Sequence, residues 1–325
     1  MKQSAKEGKL GHTAIGRFLK NYGGLVIVII AMMTVTSIYN PVFLNSKNLL
    51  QLLINNNTTF FAGLGMTFVI ISGNIDLSQG ALCALATMLL AWLISMGVGS
   101  VPAILLTLAA GGLIGVINGV VVAKGKIHSF IATLGMTTIL RGFAIALNRG
   151  YPLPIDPLHP VIAVGNGKLF GIPSVLLIAV LAFAVCWFIL NKTNVGRDVF
   201  AVGGNAEAAK FSGINLAATT IFSFVLSGVF TALAGVIMAA RMYSGVPSCA
   251  TTLETDAITA VIIGGTSFTG GDGNIGGTIF GTVLLAVIVN CMVIFGLQEW
   301  MQKVITGAII IAAVLYDRIR HSHAK

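Results

Sequence analysis

Long apolar runs recur along the chain from residue 24 to residue 316, parted by short segments rich in glycine, proline or charge. Most hold about 17 to 25 residues, the length that crosses a hydrocarbon core about 30 Å thick as a helix. Backbone groups find no water inside a bilayer, and the alternating pattern of a barrel strand is absent. The expectation is therefore an all-α, polytopic transmembrane helical bundle. About ten spans are predicted, at roughly 24–40, 49–72, 77–96, 100–123, 128–147, 172–190, 216–240, 252–268, 275–296 and 300–316. Two of them are atypical. The run at 252–268 is short and rich in Gly and Thr, which fits a re-entrant segment as well as a crossing, and Asn55, Asn56 and Asn57 interrupt the second run.

Composition strengthens that picture. Of 325 residues, 9% are charged and 56% hydrophobic, whereas a soluble domain carries about 25% charged residues. The net charge of +9 raises the question of nucleic acid. However, the basic side chains fall between apolar runs and form no patch laced with aromatics, so topology accounts for them and no nucleic-acid partner is expected. With the N-terminus inside, thirteen lysines and arginines fall in inside segments, Lys124, Lys126, Lys192, Arg197 and Lys210 among them. Five fall outside (Lys47, Arg149, Lys168, Arg241 and Lys303), while Arg141 lies within a span. This bias puts both termini in the cytoplasm, N-in and C-in.

The chain then divides into a cytoplasmic tail at 1–23, a membrane domain at 24–316 and a second cytoplasmic tail at 317–325. The first tail reads as retained, because no small-residue cleavage site follows a short apolar core. The longest inside loop is 191–215. The longest outside loop, RGYPLPIDPLHPVIAVGNGKLFG, holds four prolines and should be extended or turned, not helical.

Reactive chemistry is sparse. Cys83, Cys186, Cys249 and Cys291 form no CxxC pair and read as small buried hydrophobes. His321 and His323, in HSHAK, suit a solvated end better than a metal site. The glycine-rich GGTSFTGGDGNIGG (264–277) lacks the GK[ST] ending of a phosphate loop and reads as a tight turn between helices. No HExxH or GxSxG motif occurs, so no catalytic residue, cofactor or metal is predicted. Gly111, Gly115 and Gly119 stand four apart, as do Gly277 and Gly281, a spacing that lets helices approach closely in lipid. VIISG (69–73) and VIIGG (261–265) look alike, but five residues are too few for a repeat.

Polar residues at membrane depth are the candidates for a solute path. Asp76 with Gln79 reads as an N-cap and its reciprocal partner, and Thr251 with Glu254 as a second capping box. Ionisable groups in a span are also functional candidates by default. Asp76 and Glu254 are therefore kept, with Arg141 as a partner for either. In QLLINNNTTFFAG (51–63), Asn55, Asn57 and Thr58 beside Phe61 suit a neutral polyol or sugar. The same side chains could equally join helices by hydrogen bonds.

Between two long runs lies AVGGNAEAAKFSGI (201–214). Asn205 is a good N-cap, Glu207 falls in the first turn, Lys210 lies toward the other end, and Gly213 fits the left-handed C′ position. The helix so defined, Ala206 to Ser212, is about 10 Å long and marginal in water by itself. Its Ala208, Ala209 and Ser212 surface admits close approach. It reads as a plug for a partner's groove, or as a loop helix lying on its own bundle.

GNAEAAKFSGI resembles the EAA–G cytoplasmic loop through which ABC-importer permeases couple to their ATPases, with Glu207, Ala208, Ala209 and Gly213 at the motif positions. NKTNVGRDVFAVGGNAEAAKFSGIN, GMTFVIISGNIDLSQGAL, NGVVVAKGKIHSFIATLGMTTILRG and LETDAITAVIIGGTSFTGGDGNIGGTIFG are similar to the ribose-type sugar permeases. With the segments between them, these blocks run from about 47 to 316. Three departures stand out. Asn74 replaces a second glycine, His128 and Ser129 stand where proline is common, and Asp272 replaces a basic residue. The last reverses a charge on the inside, so no ATPase contact is assigned to that turn.

The resemblance implies a multi-pass permease of the bacterial inner (cytoplasmic) membrane that imports a monosaccharide. Ribose is the single best guess, with a related polyol or autoinducer-2 as alternatives. It also implies a second permease subunit, forming a homodimer in the simplest case, and a sugar-binding protein. A separate ATP-binding cassette subunit, often two cassettes in one chain, would supply energy by moving the 205–213 helix. The rival class is an ion-coupled secondary transporter, which usually places its acids in broken helices near the midplane. Here the acids read as helix starts.

Overall fold

The computed structural model describes residues 14–322. Residues 1–13, with Lys2, Lys6 and Lys9, and residues 323–325, with His323, lie outside the described residues. α1 (Ala14–Tyr39) begins well inside the expected tail, since AIGRFLKNYGG continues into the apolar run without a proline. A 3-10 turn at Pro41–Leu44 follows, and Asn40 Oδ1 accepts from the Val42 N–H at 3.0 Å.

The second expected span is two helices, α2 (Ser46–Asn55) and α3 (Asn57–Ile71). The break falls in the asparagine run, where short amides compete for backbone groups and weaken a helix interior. α4 (Gln79–Ser95), α5 (Ser100–Ala123) and α6 (Ser129–Ala146) lie within the spans predicted for them.

The proline-rich loop departs from expectation in one place. It carries β1 (Leu153–Pro154) and a hairpin of β2 (Lys168–Leu169) with β3 (Ile172–Pro173), but also a short helix, α7 (Ile162–Asn166). The last proline is Pro160, so the residues after it are free to turn. α8 (Ser174–Lys192) leads into a loop with two helices where one was expected, α9 (Asn194–Gly204) and α10 (Ala206–Phe211). Then come α11 (Leu216–Met242), β4 (Ser244–Gly245) paired antiparallel with β1, α12 (Leu253–Ile263), α13 (Ile275–Ile294) and α14 (Glu299–Ser322).

Among the described residues, six helices are long and apolar enough to cross a membrane: α1 from Tyr22 on, α5, α6, α8, α11 and α13. α12 has 11 residues, about 16 Å, and cannot cross a core of about 30 Å by itself. The run at 252–268 is thus not one continuous crossing helix.

α11 is the hub, packed by α3, α4 and α5 through residues that have little or no side chain. A Cβ on Gly115 of α5 would lie 2.7 Å from Val225 Cα, and one on Gly119 would lie 2.6 Å from Ile221 Cα. On α3, a Cβ at Gly65 would meet Ser227 Cα at 2.6 Å, and a Cβ at Gly235 of α11 would meet Ala86 on α4 at 2.6 Å. The glycine ladder is thus a helix-packing seam, as its spacing predicts. Gly277 and Gly281 likewise press α13 onto the Gly264 and Ala260 backbone of α12.

The likeness of VIISG to VIIGG is a shared helix stop. In each, a glycine with positive φ (Gly73 +79°, Gly265 +91°) sits at C′. The next N–H reaches back to the valine carbonyl, Asn74 to Val69 at 3.0 Å and Thr266 to Val261 at 3.2 Å. Cys83, Cys186 and Cys291 are buried as expected, and Cys249 is half-buried.

Candidate functional site

The loop after α8 builds its short helix as the residues dictate. Asn205 Oδ1 accepts from the Ala208 N–H at 2.9 Å, capping α10. At the other end Gly213 has φ +82°, its N–H donates to Lys210 O at 3.0 Å, and the Ile214 N–H donates to Ala209 O at 3.1 Å. This Schellman closure leaves few orphan backbone groups on a helix of six residues. Glu207 and Ala208 are exposed, and Phe211 is 90% exposed. One prediction needs correction. Ala209 is buried and faces the bundle, so it anchors α10 and is not part of an open docking surface. Phe211 was missed, because its neighbours in AEAAKFSG gave no sign that it stands clear of the bundle.

Just before α10, glycines bring three segments into backbone contact. The Gly271 N–H donates to Ile71 O at 2.9 Å. A Cβ on Gly270 would lie 2.9 Å from Gly73 Cα, and one on Gly271 would lie 2.5 Å from Gly204 Cα. The end of α3, the end of α9 and the α12–α13 turn therefore form one junction beside Asn205. The segments 72–74, 202–205 and Thr269 border a cavity of about 400 Å³.

Neither capping box forms. Asp76 precedes α4 in a tight turn, where its Oδ1 accepts from the Ser78 N–H (3.0 Å) and hydroxyl (2.6 Å), and its Oδ2 from the Ser227 hydroxyl (2.7 Å). Gln79 turns away, donating to Ala62 O at 3.0 Å and Ser227 Oγ at 2.9 Å, while Asn118 donates to Ser78 Oγ at 2.9 Å. The competing partners come from α3, α5 and α11, so the polar cluster ties four helices where a local cap was expected. Ser129, at a position where proline was expected, accepts from the Ile75 N–H at 3.2 Å, a contact proline could not make.

At α12 the cap residue is Thr252, whose hydroxyl donates to Asp256 Oδ2 at 3.0 Å. Glu254 instead lies against Gly80 at the start of α4. Arg141 forms no salt bridge with either acid, although its charge reaches Glu254. It donates to Pro247 O and Cys249 O, both at 2.9 Å, and holds the turn between β4 and α12. The only ion pair among the described residues is Lys303 with Glu299 at 2.9 Å.

The asparagine run divides between two spaces. Asn57, Asn56 and Thr282 border a groove of about 340 Å³ whose other walls are apolar, including Leu53, Phe60, Leu176, Val180, Phe183 and Val283. Asn55, Asn56, Thr59, Asp256, Asn290 and Thr306 share a second cleft, of about 350 Å³, whose remaining walls are apolar, Leu285 and Val289 among them. Of the predicted path residues only Asn55 lines this cleft. Phe61 is fully buried in the core, Thr58 is half-buried, and Asp76, Arg141 and Glu254 are engaged elsewhere. Asp256, Asn290 and Thr306 were missed, and Thr59 belongs to the polar run at 51–63 that was singled out. In LETDAI the two acids are two positions apart, which turns them to different faces of a helix, and only Glu254 had been singled out.

Comparison with known proteins adds a finding the geometry alone does not supply. The family described as branched-chain amino acid transport system / permease component matches residues 48–314. The chain is 37% identical over 306 residues to the ribose import permease protein RbsC of Haemophilus influenzae, covering 93% of this chain and 94% of that one. It is 40% identical over 305 residues to its namesake in Bacillus subtilis, covering 94% and 92%. To the D-allose transport system permease protein AlsC of Escherichia coli it is 34% identical over 323 residues, covering 98% and 97%. No solved structure matches the chain.

Proposed function

The chain belongs to the family of branched-chain amino acid transport system / permease components, and from that premise we propose that it is the membrane-spanning subunit of an ABC importer for a monosaccharide. Relatives named for ribose and D-allose favour a sugar over an amino acid. Ribose is the leading choice because it stands in the names of relatives at 35% to 40% identity. In this reading the chain makes about ten passes through the bacterial inner membrane with both termini in the cytoplasm. Two copies pair, a sugar-binding protein delivers solute, and a double-cassette ATPase supplies energy.

The observation that carries the proposal is α10, a helix closed at both ends that presents Glu207, Ala208 and Phe211 to a partner. Closure of the ATPase would displace α10, and the glycine junction would pass that displacement to α3 and the α12–α13 turn. Coupling free energy is reciprocal, so a docked, loaded binding protein would favour ATPase closure. One observation favours a second reading: α12 is only 11 residues long, and ion-coupled transporters build their sites from such discontinuous helices.

Proteoliposomes separate the two readings. With a cassette subunit and a binding protein, the chain should accumulate labelled ribose only when ATP is supplied, and the chain alone should hydrolyse none. Accumulation by the chain alone under a proton or sodium gradient would establish the second reading instead.

A further inference from the structure

Two interruptions in the bundle meet at one place. The α2–α3 break lies at Asn56, and α12 begins at Leu253 with a length about half that of a crossing helix. Their depth follows from contacts at the end of the bundle away from α10. Asn48 near the start of α2 donates to Asn290 Oδ1 near the end of α13 at 3.1 Å. The Thr36 hydroxyl donates to Cys291 Sγ at 3.0 Å, and the Tyr39 and Phe295 rings stand 4.8 Å apart. The end of α1, the start of α2 and the end of α13 are therefore level. α3 and the α12–α13 turn meet the glycine junction at the opposite end. Counting 1.5 Å per residue inward from the helix ends, Asn290 lies about 6 Å deep and Thr306 about 10 Å, and Arg241, in the last turn of α11, reaches Asn55 from this same end.

Backbone that leaves the helix at membrane depth must be covered by protein or face water. Toward this end the cleft brings together the broken stretch Asn55–Asn56, the first turn of α12 at Asp256, and Asn290. Its volume, about 350 Å³, is at the lower end for small-molecule sites, about 300–1,000 Å³. The polar lining supplies amides, two threonine hydroxyls and one carboxylate. No lysine or arginine lines it, although Arg241 fixes Asn55 from one side, donating to its Oδ1 at 2.8 Å. Asn55 Oδ1 already accepts from Gln51 and Arg241, the Asn56 amide donates to Thr282 O, and Asn290 exchanges bonds with Asn48; the remaining amide groups, with the two hydroxyls and the carboxylate, match a ring of hydroxyl groups. They offer nothing for an anion. The neighbouring 340 Å³ groove has only Asn56, Asn57 and Thr282 as polar members and no carboxylate.

We infer that the Asn55–Thr59–Asp256–Asn290–Thr306 cleft is a water-filled station on the solute path, opening at the end of the bundle away from α10 and taking a neutral polyhydroxylated solute. The inference rests on the importer reading. It is tested in nanodiscs on a chain with its four cysteines replaced, carrying Thr59→Cys or Asn290→Cys, with Ala179→Cys in the apolar groove as control. The probe is the water-soluble thiol reagent 2-sulfonatoethyl methanethiosulfonate. Both cleft variants should be labelled at least tenfold faster than the control. Once labelled and reconstituted with ATPase and binding protein, they should lose ATP-driven uptake of labelled ribose, allose or arabinose, whichever the unlabelled chain carries. Labelling no faster than at position 179 would mean a dry cleft and overturn the inference. Fast labelling with uptake intact would put the cleft off the path and also overturn it, leaving the importer reading standing. An unlabelled chain that moves none of these sugars with ATP would refute the importer reading, and the assignment of a sugar path would fall with it.

Discussion

The Asp76 carboxylate accepts from one N–H and two hydroxyls, and those hydroxyls are themselves held by Gln79 and Asn118. Each buried donor left without its acceptor costs about 1–3 kcal/mol. Asp76→Ala should therefore lower the melting temperature in detergent clearly, and Asp76→Asn, which keeps one acceptor oxygen, should lower it less. Melting of the alanine variant at the wild-type temperature would show that the cluster contributes no stability. The buried position of this acid could be read from its place beside an apolar run, but its partners could not. Ser227 is 151 residues away, and a pattern search over neighbouring residues finds only the local candidate, Gln79. Asn205 and Gly213 are the opposite case. Their partners lie within four residues, and both roles were legible in the sequence.

Helices show the same division. Apolar length located most of them, and glycine spacing located the α5 seam, because both signals are periodic within a single element. The break at Asn56 was visible as a polar interruption. The shortness of α12 was legible in the short, Gly-rich run at 252–268, where Gly265 closes the helix locally, whereas the close fit of Gly264 against Gly277 is tertiary and was not. α9 was missed because NVGRDVFAVGG carries three glycines, which lower helix propensity. The seam gives a comparison within one helix. Gly111→Ala puts a methyl 2.5 Å from Ala232 Cβ, while Gly112→Ala meets only the Val229 Cγ2 methyl at 3.3 Å. Overpacking costs about 1–3 kcal/mol, so Gly111→Ala should reduce folded yield and melting temperature, whereas Gly112→Ala should sit close to wild type. Equal effects would mean that α5 and α11 are not in contact along this face.

For the whole molecule, orientation is the first expectation to check. Leu158→Cys, 90% exposed in the wild-type chain, and Asn194→Cys, also exposed, lie in loops that follow opposite ends of the bundle. In a background with the native cysteines replaced, an impermeant thiol reagent on intact cells should label position 158 and spare position 194. The reverse pattern would invert the topology. The central claim is that α10 transmits the ATPase's work. Gly213→Val tests it most directly, because a Cβ on Gly213 would meet nothing within 4 Å, so the φ of +82° is what the substitution disturbs; a β-branched residue is strongly disfavoured there. The measurement is sugar uptake per inserted molecule, taken alongside co-purification of the ATPase subunit. The account predicts normal insertion, a steep fall in uptake and weakened co-purification. Wild-type uptake with full ATPase recovery would contradict it.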